Sequence, residues 1–136
     1  MKFPYKKITS DVLRPIIPIS IGYKDFFVSY EVLVDSGADI CIFDYEIGEL
    51  LGINVKSGEE KKVYGITGAQ PEIYYIHSVA IKVGGWSFPI KSGFLSGLSS
   101  RYNYGVVGQK GFFDTFVVKF DLIKEEIELI ERKRKN

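Results

Sequence analysis

From Phe26 to Val34 the chain alternates: Val28, Tyr30, Val32 and Val34 fall on one face of an extended backbone, Phe27, Ser29, Glu31 and Leu33 on the other. Period two predicts a half-buried β-strand and excludes an amphipathic helix over the same residues. The strand runs directly into Asp35-Ser36-Gly37-Ala38-Asp39, followed by apolar Ile40. One carboxylate is thereby placed at the end of a rigid element, where a reactive group is better held than on a free loop. Ser36 can hydrogen-bond locally, and Gly37 permits close backbone approach or a positive φ.

The rest of the chain has the same grain of short apolar runs broken by glycine and proline. Pro15 to Ile21 is β-branched, and its prolines predict an edge strand. Gly22 to Asp25 turns it into the alternating strand, giving a hairpin that delivers Asp35. Ile40 to Phe43 predicts a second short strand. Asp44 is a candidate N-cap for a short helix ending at Gly52, with Ile47, Leu50 and Leu51 on one face. Ile53 to Lys56 reads as a further strand. Lys61 to Tyr64 and Ile73 to Val83 predict a long hairpin with a glycine-rich tip, Gly65-Ile66-Thr67-Gly68. Gly84-Gly85 leads into the strand Trp86 to Ile90, with Trp86 expected in the core, and Ser92 to Asn103 reads as a loop. Tyr104-Gly105-Val106-Val107-Gly108 ends a buried strand, and Phe112-Phe113 begin a helical turn. Val117 to Asp121 and Ile127 to Ile130 form a closing hairpin.

These elements predict a single all-β domain over 15–130, a partly closed barrel with one or two short helices. Residues 1–14 are expected as an N-terminal tail or edge strand and 131–136 as a basic C-terminal tail. The expected core draws on Val28, Val32, Ile40, Ile42, Leu50, Ile76, Val79, Ile81, Val106, Val107, Phe113, Val118 and Phe120.

At 136 residues, 46% hydrophobic and 26% charged, the chain can bury one modest core and is not of disordered composition. A formal charge of +1 gives no electrostatic case for nucleic acid or a membrane surface. No uncharged stretch approaches a membrane span, and no leader-like h-region follows Met1. The lone Cys41 cannot form an internal disulfide, which fits a reducing, cytoplasmic setting. It reads as a small buried hydrophobe, and His77 as a structural histidine on the hairpin's return strand. One cysteine and one histidine make neither a thiol-protease pair nor a zinc site, so no metal is expected. The spacing of Asp35, Asp39 and Asp44 does not match an EF-hand loop.

Val34-Asp35-Ser36-Gly37-Ala38-Asp39 resembles the hydrophobic-Asp-Thr/Ser-Gly-Ala signature of aspartic proteases. The single short chain is similar to their retropepsin branch. Val106-Val107-Gly108 resembles the hydrophobic-hydrophobic-Gly element that crosses beneath the catalytic loop in that family. The hairpin tip Tyr64-Gly65-Ile66-Thr67-Gly68 falls between the two signatures, where a retropepsin flap lies. The resemblance spans roughly Pro15 to Leu129. It implies an acid-protease β-barrel, a catalytic Asp35 supported by Ser36, Gly37, Ala38 and Asp39, and an extended polypeptide substrate. It also implies a homodimer, with no cofactor. The physics agrees: one such lobe encodes one carboxylate, and hydrolysis by this route needs both a base and an acid. One departure stands out. Retroviral members carry Arg directly after the crossing glycine, paired with the acid at the Asp39 position; here the residue is Gln109, leaving Lys110, Arg101, backbone N–H groups or water to meet Asp39. The alternatives are a non-catalytic peptide-binding or assembly module of the same fold, and an unrelated β-module in which Asp35-Ser36-Gly37 is only a turn.

Overall fold

Paired β-strands dominate the computed structural model, which describes residues 1–63, 70–98 and 103–133. In chain order the elements are β1 (Lys2–Pro4), β2 (Lys6–Thr9), β3 (Val12–Arg14), β4 (Ile16–Tyr23), β5 (Phe26–Val34), β6 (Cys41–Asp44), α1 (Tyr45–Leu50), a 3-10 turn (Val55–Ser57), β7 (Glu59–Val63), β8 (Glu72–Val83), β9 (Trp86–Leu95), β10 (Gly105–Val107), β11 (Phe116–Asp121) and β12 (Glu126–Glu131).

The hairpin β4–β5 forms as the alternation predicts, from Ile16 opposite Leu33 to Tyr23 opposite Phe26. The sheet order is β4-β5-β10-β6-β9-β8-β7, and β8 pairs again with β4 through Ser20–Lys82, Ile21–Ile81 and Gly22–Ala80. Six strands therefore close into a ring, more complete than the partly closed barrel expected. The first half of β8 carries β7 instead, so the β7–β8 hairpin projects beyond the ring. Pro18 lies in the half of β4 paired to β5 alone, where a missing N–H leaves no ladder bond unmade. Two pairings are parallel, β5 with β10 and β6 with β9. Strands β1, β12 and β11 make a second, three-stranded sheet, and β2 pairs with β3.

Val32, Val34, Cys41, Phe43, Ile81, Phe94 and Val107 fill the barrel. Phe116 of β11 ties the second sheet to it, 5.4 Å from Phe88 and 5.3 Å from Phe112 between ring centroids. Burying such a side chain stabilises by about 1.5–3 kcal/mol, so this aromatic seam is a principal hold between the sheets.

Several expectations are corrected. Leu50 is 62% exposed and Phe120 and Trp86 are each 43% exposed, so none of the three is core. Gly48 is the buried residue of α1, against Val55 and Phe94. The helix packs through its glycine, and that turns Leu50 outward. Trp86 opens β9 at a surface turn. Residues 53–56 form no strand, because the 3-10 turn takes Val55 into the core. Residues 92–95 continue β9 rather than beginning a loop. Ile40, Ile42, Ile76 and Val106 are half-buried rather than fully enclosed. Among the described residues no helix is long and apolar enough to cross a membrane.

Candidate active site

Asp35 stands where β5 ends. Its neighbours fix that end from both sides: Val34 N–H donates to Pro15 O at 2.9 Å, and Asp35 N–H donates to Val107 O at 3.0 Å. The chain then turns sharply, with Ala38 N–H donating to Asp35 O at 3.2 Å. Within the turn Gly37 N–H donates to Asp35 Oδ1 at 2.8 Å, which sets the rotation of the carboxylate. Asp35 is half-buried and Ser36 and Gly37 are exposed, so the acid is held from behind and accessible from in front.

Beneath the turn runs the element Val106-Val107-Gly108. Strand β10 lies between β5 and β6, with Val106 opposite both Leu33 and Ile42. A Cβ on the buried Gly108 would lie 2.6 Å from Ile40 O and also against Ala38 O, so only glycine lets the two segments touch. Beyond the glycine, Gln109 N–H donates to Ala38 O at 2.8 Å and Lys110 N–H to Asp39 O at 3.0 Å. The Gln109 side chain donates from Nε2 to Ser36 O at 2.9 Å. The residue that replaces the expected Arg is therefore a tie to the loop. Asp39 is exposed, and among the described residues its carboxylate has no hydrogen-bond or ion-pair partner; Lys110 reaches only its main chain. Arg101 lies outside the described residues, as do Tyr64, Gly65, Ile66, Thr67 and Gly68 of the expected flap.

Cys41 is fully buried below this crossing, where it accepts from Gly108 N–H at 3.5 Å. Burial pushes its thiol up to about 11, only partly opposed by that N–H, so it is no nucleophile at neutral pH. His77 meets Val55 O through Nε2 at 2.7 Å and stacks edgewise on Phe94. Because a carbonyl can only accept, that nitrogen carries the proton and the imidazole is structural. Among the described residues no three His, Cys, Asp or Glu side chains gather as a metal site requires.

The site also has an apolar floor. Leu33, Val106 and Ile42 are registered across β5, β10 and β6, and all three are half-buried, unlike their inward neighbours. Ile42 is opposite Gly93 on β9, and a Cβ there would meet Tyr74 of β8 at 2.6 Å. An apolar strip thus runs from beside Asp35 to the base of the β7–β8 hairpin. Ile42 and Val106 look like core in sequence because burial on the second face of a barrel strand has the same apolar signature.

No family model matches the sequence, and no curated protein matches it significantly. Solved structures do. A retropepsin-like aspartic protease from Rickettsia conorii superposes with a TM-score of 0.61 at 17% identity, over 85% of this chain and 89% of that one. The retroviral protease-like domain of Ddi1 from Leishmania major gives 0.62 at 17% identity, over 88% and 90%. The EIAV protease, complexed with the inhibitor HBY-793, gives 0.52 at 18% identity, over 76% and 88%. The chain has the all-β fold of retropepsin-like aspartic proteases.

Proposed function

We propose that this chain is an aspartic endopeptidase that hydrolyses peptide bonds as a homodimer, with Asp35 of each subunit facing its symmetry mate. The observation that carries the reading is the Asp35 turn: a half-buried carboxylate, rotationally set by Gly37 N–H, on a loop tied to a crossing glycine strand. Similarity of fold to three proteases supports it. Two such carboxylates close together cannot both ionise, so they share a proton. The ionised member takes a proton from a water lying between them. The protonated member donates to the scissile carbonyl as that water attacks, and the roles reverse when the amine leaves.

The substrate is an extended polypeptide, bound by strand-like pairing over the apolar strip Leu33–Val106–Ile42. Ser36, Gly37, Ala38 and Asp39 hold the loop, and Val106, Val107 and Gly108 brace it from below. The mechanism draws on no cofactor, and the buried thiol suits a reducing, cytoplasmic setting. The test is digestion of a peptide library with and without a transition-state-mimic aspartic inhibitor. Inhibitor-sensitive cleavage supports the enzyme. Peptide binding without turnover would favour a non-catalytic module of the same fold.

A further inference from the structure

We infer that Gln109 is a positioning residue for Asp35, acting through the single peptide group that joins Ser36 to Gly37. This rests on the reading of Asp35 as the catalytic acid. The carbonyl of that peptide is Ser36 O, which accepts from Gln109 Nε2 at 2.9 Å. The N–H of the same peptide belongs to Gly37 and donates to Asp35 Oδ1 at 2.8 Å. A trans peptide is planar, with its C=O and N–H pointing in opposite directions, so fixing one end fixes the other. The chain Gln109 N–H to Ser36 C=O, then Gly37 N–H to Asp35 carboxylate, is a relay of two hydrogen bonds through one rigid plate. Each bond polarises the next, so a donor on the carbonyl strengthens the N–H as a donor to the acid.

The backbone of Gln109 completes the clamp. Its own N–H donates to Ala38 O at 2.8 Å, so one residue holds the carbonyls on either side of Gly37. Gly37 itself cannot resist rotation about its own φ and ψ, and the turn is exposed. Without the side-chain tie the peptide is free to tilt, and the carboxylate loses the donor that sets its plane. The position directly after the crossing glycine thus keeps a loop-fixing task with an uncharged side chain, and the Asp39 carboxylate is not needed for it.

The test compares Gln109→Glu, Gln109→Ala and Gln109→Arg. Glutamate has nearly the same shape but, ionised, cannot donate to a carbonyl; arginine restores a donor. In amide hydrogen exchange followed by NMR, the Gly37 N–H should exchange about tenfold faster in the Glu and Ala variants, with β-strand amides and the melting temperature unchanged. The Arg variant should return Gly37 towards wild-type protection. In peptide cleavage, kcat should fall by about tenfold in the Glu and Ala variants while KM stays constant, since alignment and not binding is lost. Unchanged Gly37 exchange in both variants would overturn the inference, as would a loss of protection spread evenly over the whole fold. A wild-type chain that cleaves nothing would sink the protease reading instead, and Gly37 exchange would still decide the tether.

Discussion

At the scale of single residues, the site rests on one carboxylate and its environment. Replacing Asp35 with Asn preserves size and can still accept from Gly37 N–H, so the fold and melting temperature should hold. Cleavage should fall by more than about a hundredfold, because an amide neither takes a proton from water nor shares one. Full activity in that variant, measured by a fluorogenic peptide assay, would end the proposal. Buried titratable groups make a separate prediction. Burial holds Cys41 at about 11 against an ordinary 9.0, and Tyr30 at about 12 against 10.0. Both are raised because the interior disfavours the anion, so the unfolded chain loses these protons first. Stability is full below the unfolded value of Cys41, near pH 9, and drains as pH climbs towards about 12. Urea midpoints from neutral to alkaline pH should show the decline, and Cys41→Ala should remove its early part. The sequence placed Asp35 at the end of a strand and read Cys41 as a small buried hydrophobe and His77 as structural, and the fold agrees with all three placements, because each needed only local chemistry. What Gln109 does was not legible, since its partner Ser36 is brought to it by the crossing of β10 under the loop.

At the scale of elements, periodicity exposed the strands and the short helix capped by Asp44, but misplaced Leu50 on that helix. The face chosen for α1 contained Ile47, Leu50 and Leu51, as apolar spacing dictates. In the fold the tightest contact is made by Gly48, where a Cβ would lie 2.8 Å from Val55 Cγ2 and 3.0 Å from Phe94 Cδ1. A glycine has no hydropathy signature, so a face built around close approach is invisible to a pattern of apolar residues. Two substitutions therefore invert the usual expectation. Gly48→Ala should destabilise by about 1–3 kcal/mol despite a helix propensity gain of about 1 kcal/mol, because added volume meets a packed ring and a buried valine. Leu50→Lys should change stability by no more than about 0.5 kcal/mol, since Leu50 is mostly solvated. Denaturant unfolding of the two variants decides the matter, and the reverse order would mean that α1 packs on its leucine face. The β4–β5 and β11–β12 hairpins, by contrast, could be read in advance, because alternation and turn spacing fix register without tertiary help.

At the scale of the whole molecule, the proposed function turns on each chain supplying half of an acid pair. The seam that joins the two sheets, and the ring closed by β8 against β4, are complete within one chain. The proposed chemistry, by contrast, demands a partner. A two-fold axis through paired Asp35 turns makes the contact isologous, so an Asp35→Asn chain should pair with wild type as readily as with itself. Mixing the two in equal amounts leaves about one quarter of dimers with both carboxylates if pairing is random. Activity per wild-type chain should then fall to about half, and towards zero as the variant is raised in excess. Dilution of wild type alone should lower activity per chain in step with the monomer fraction measured by sedimentation. A chain acting by itself would give neither result: its activity would be indifferent to the variant and strictly proportional to concentration. That contrast separates an assembled acid pair from any reaction confined to a single barrel, and it does so without knowledge of the natural substrate.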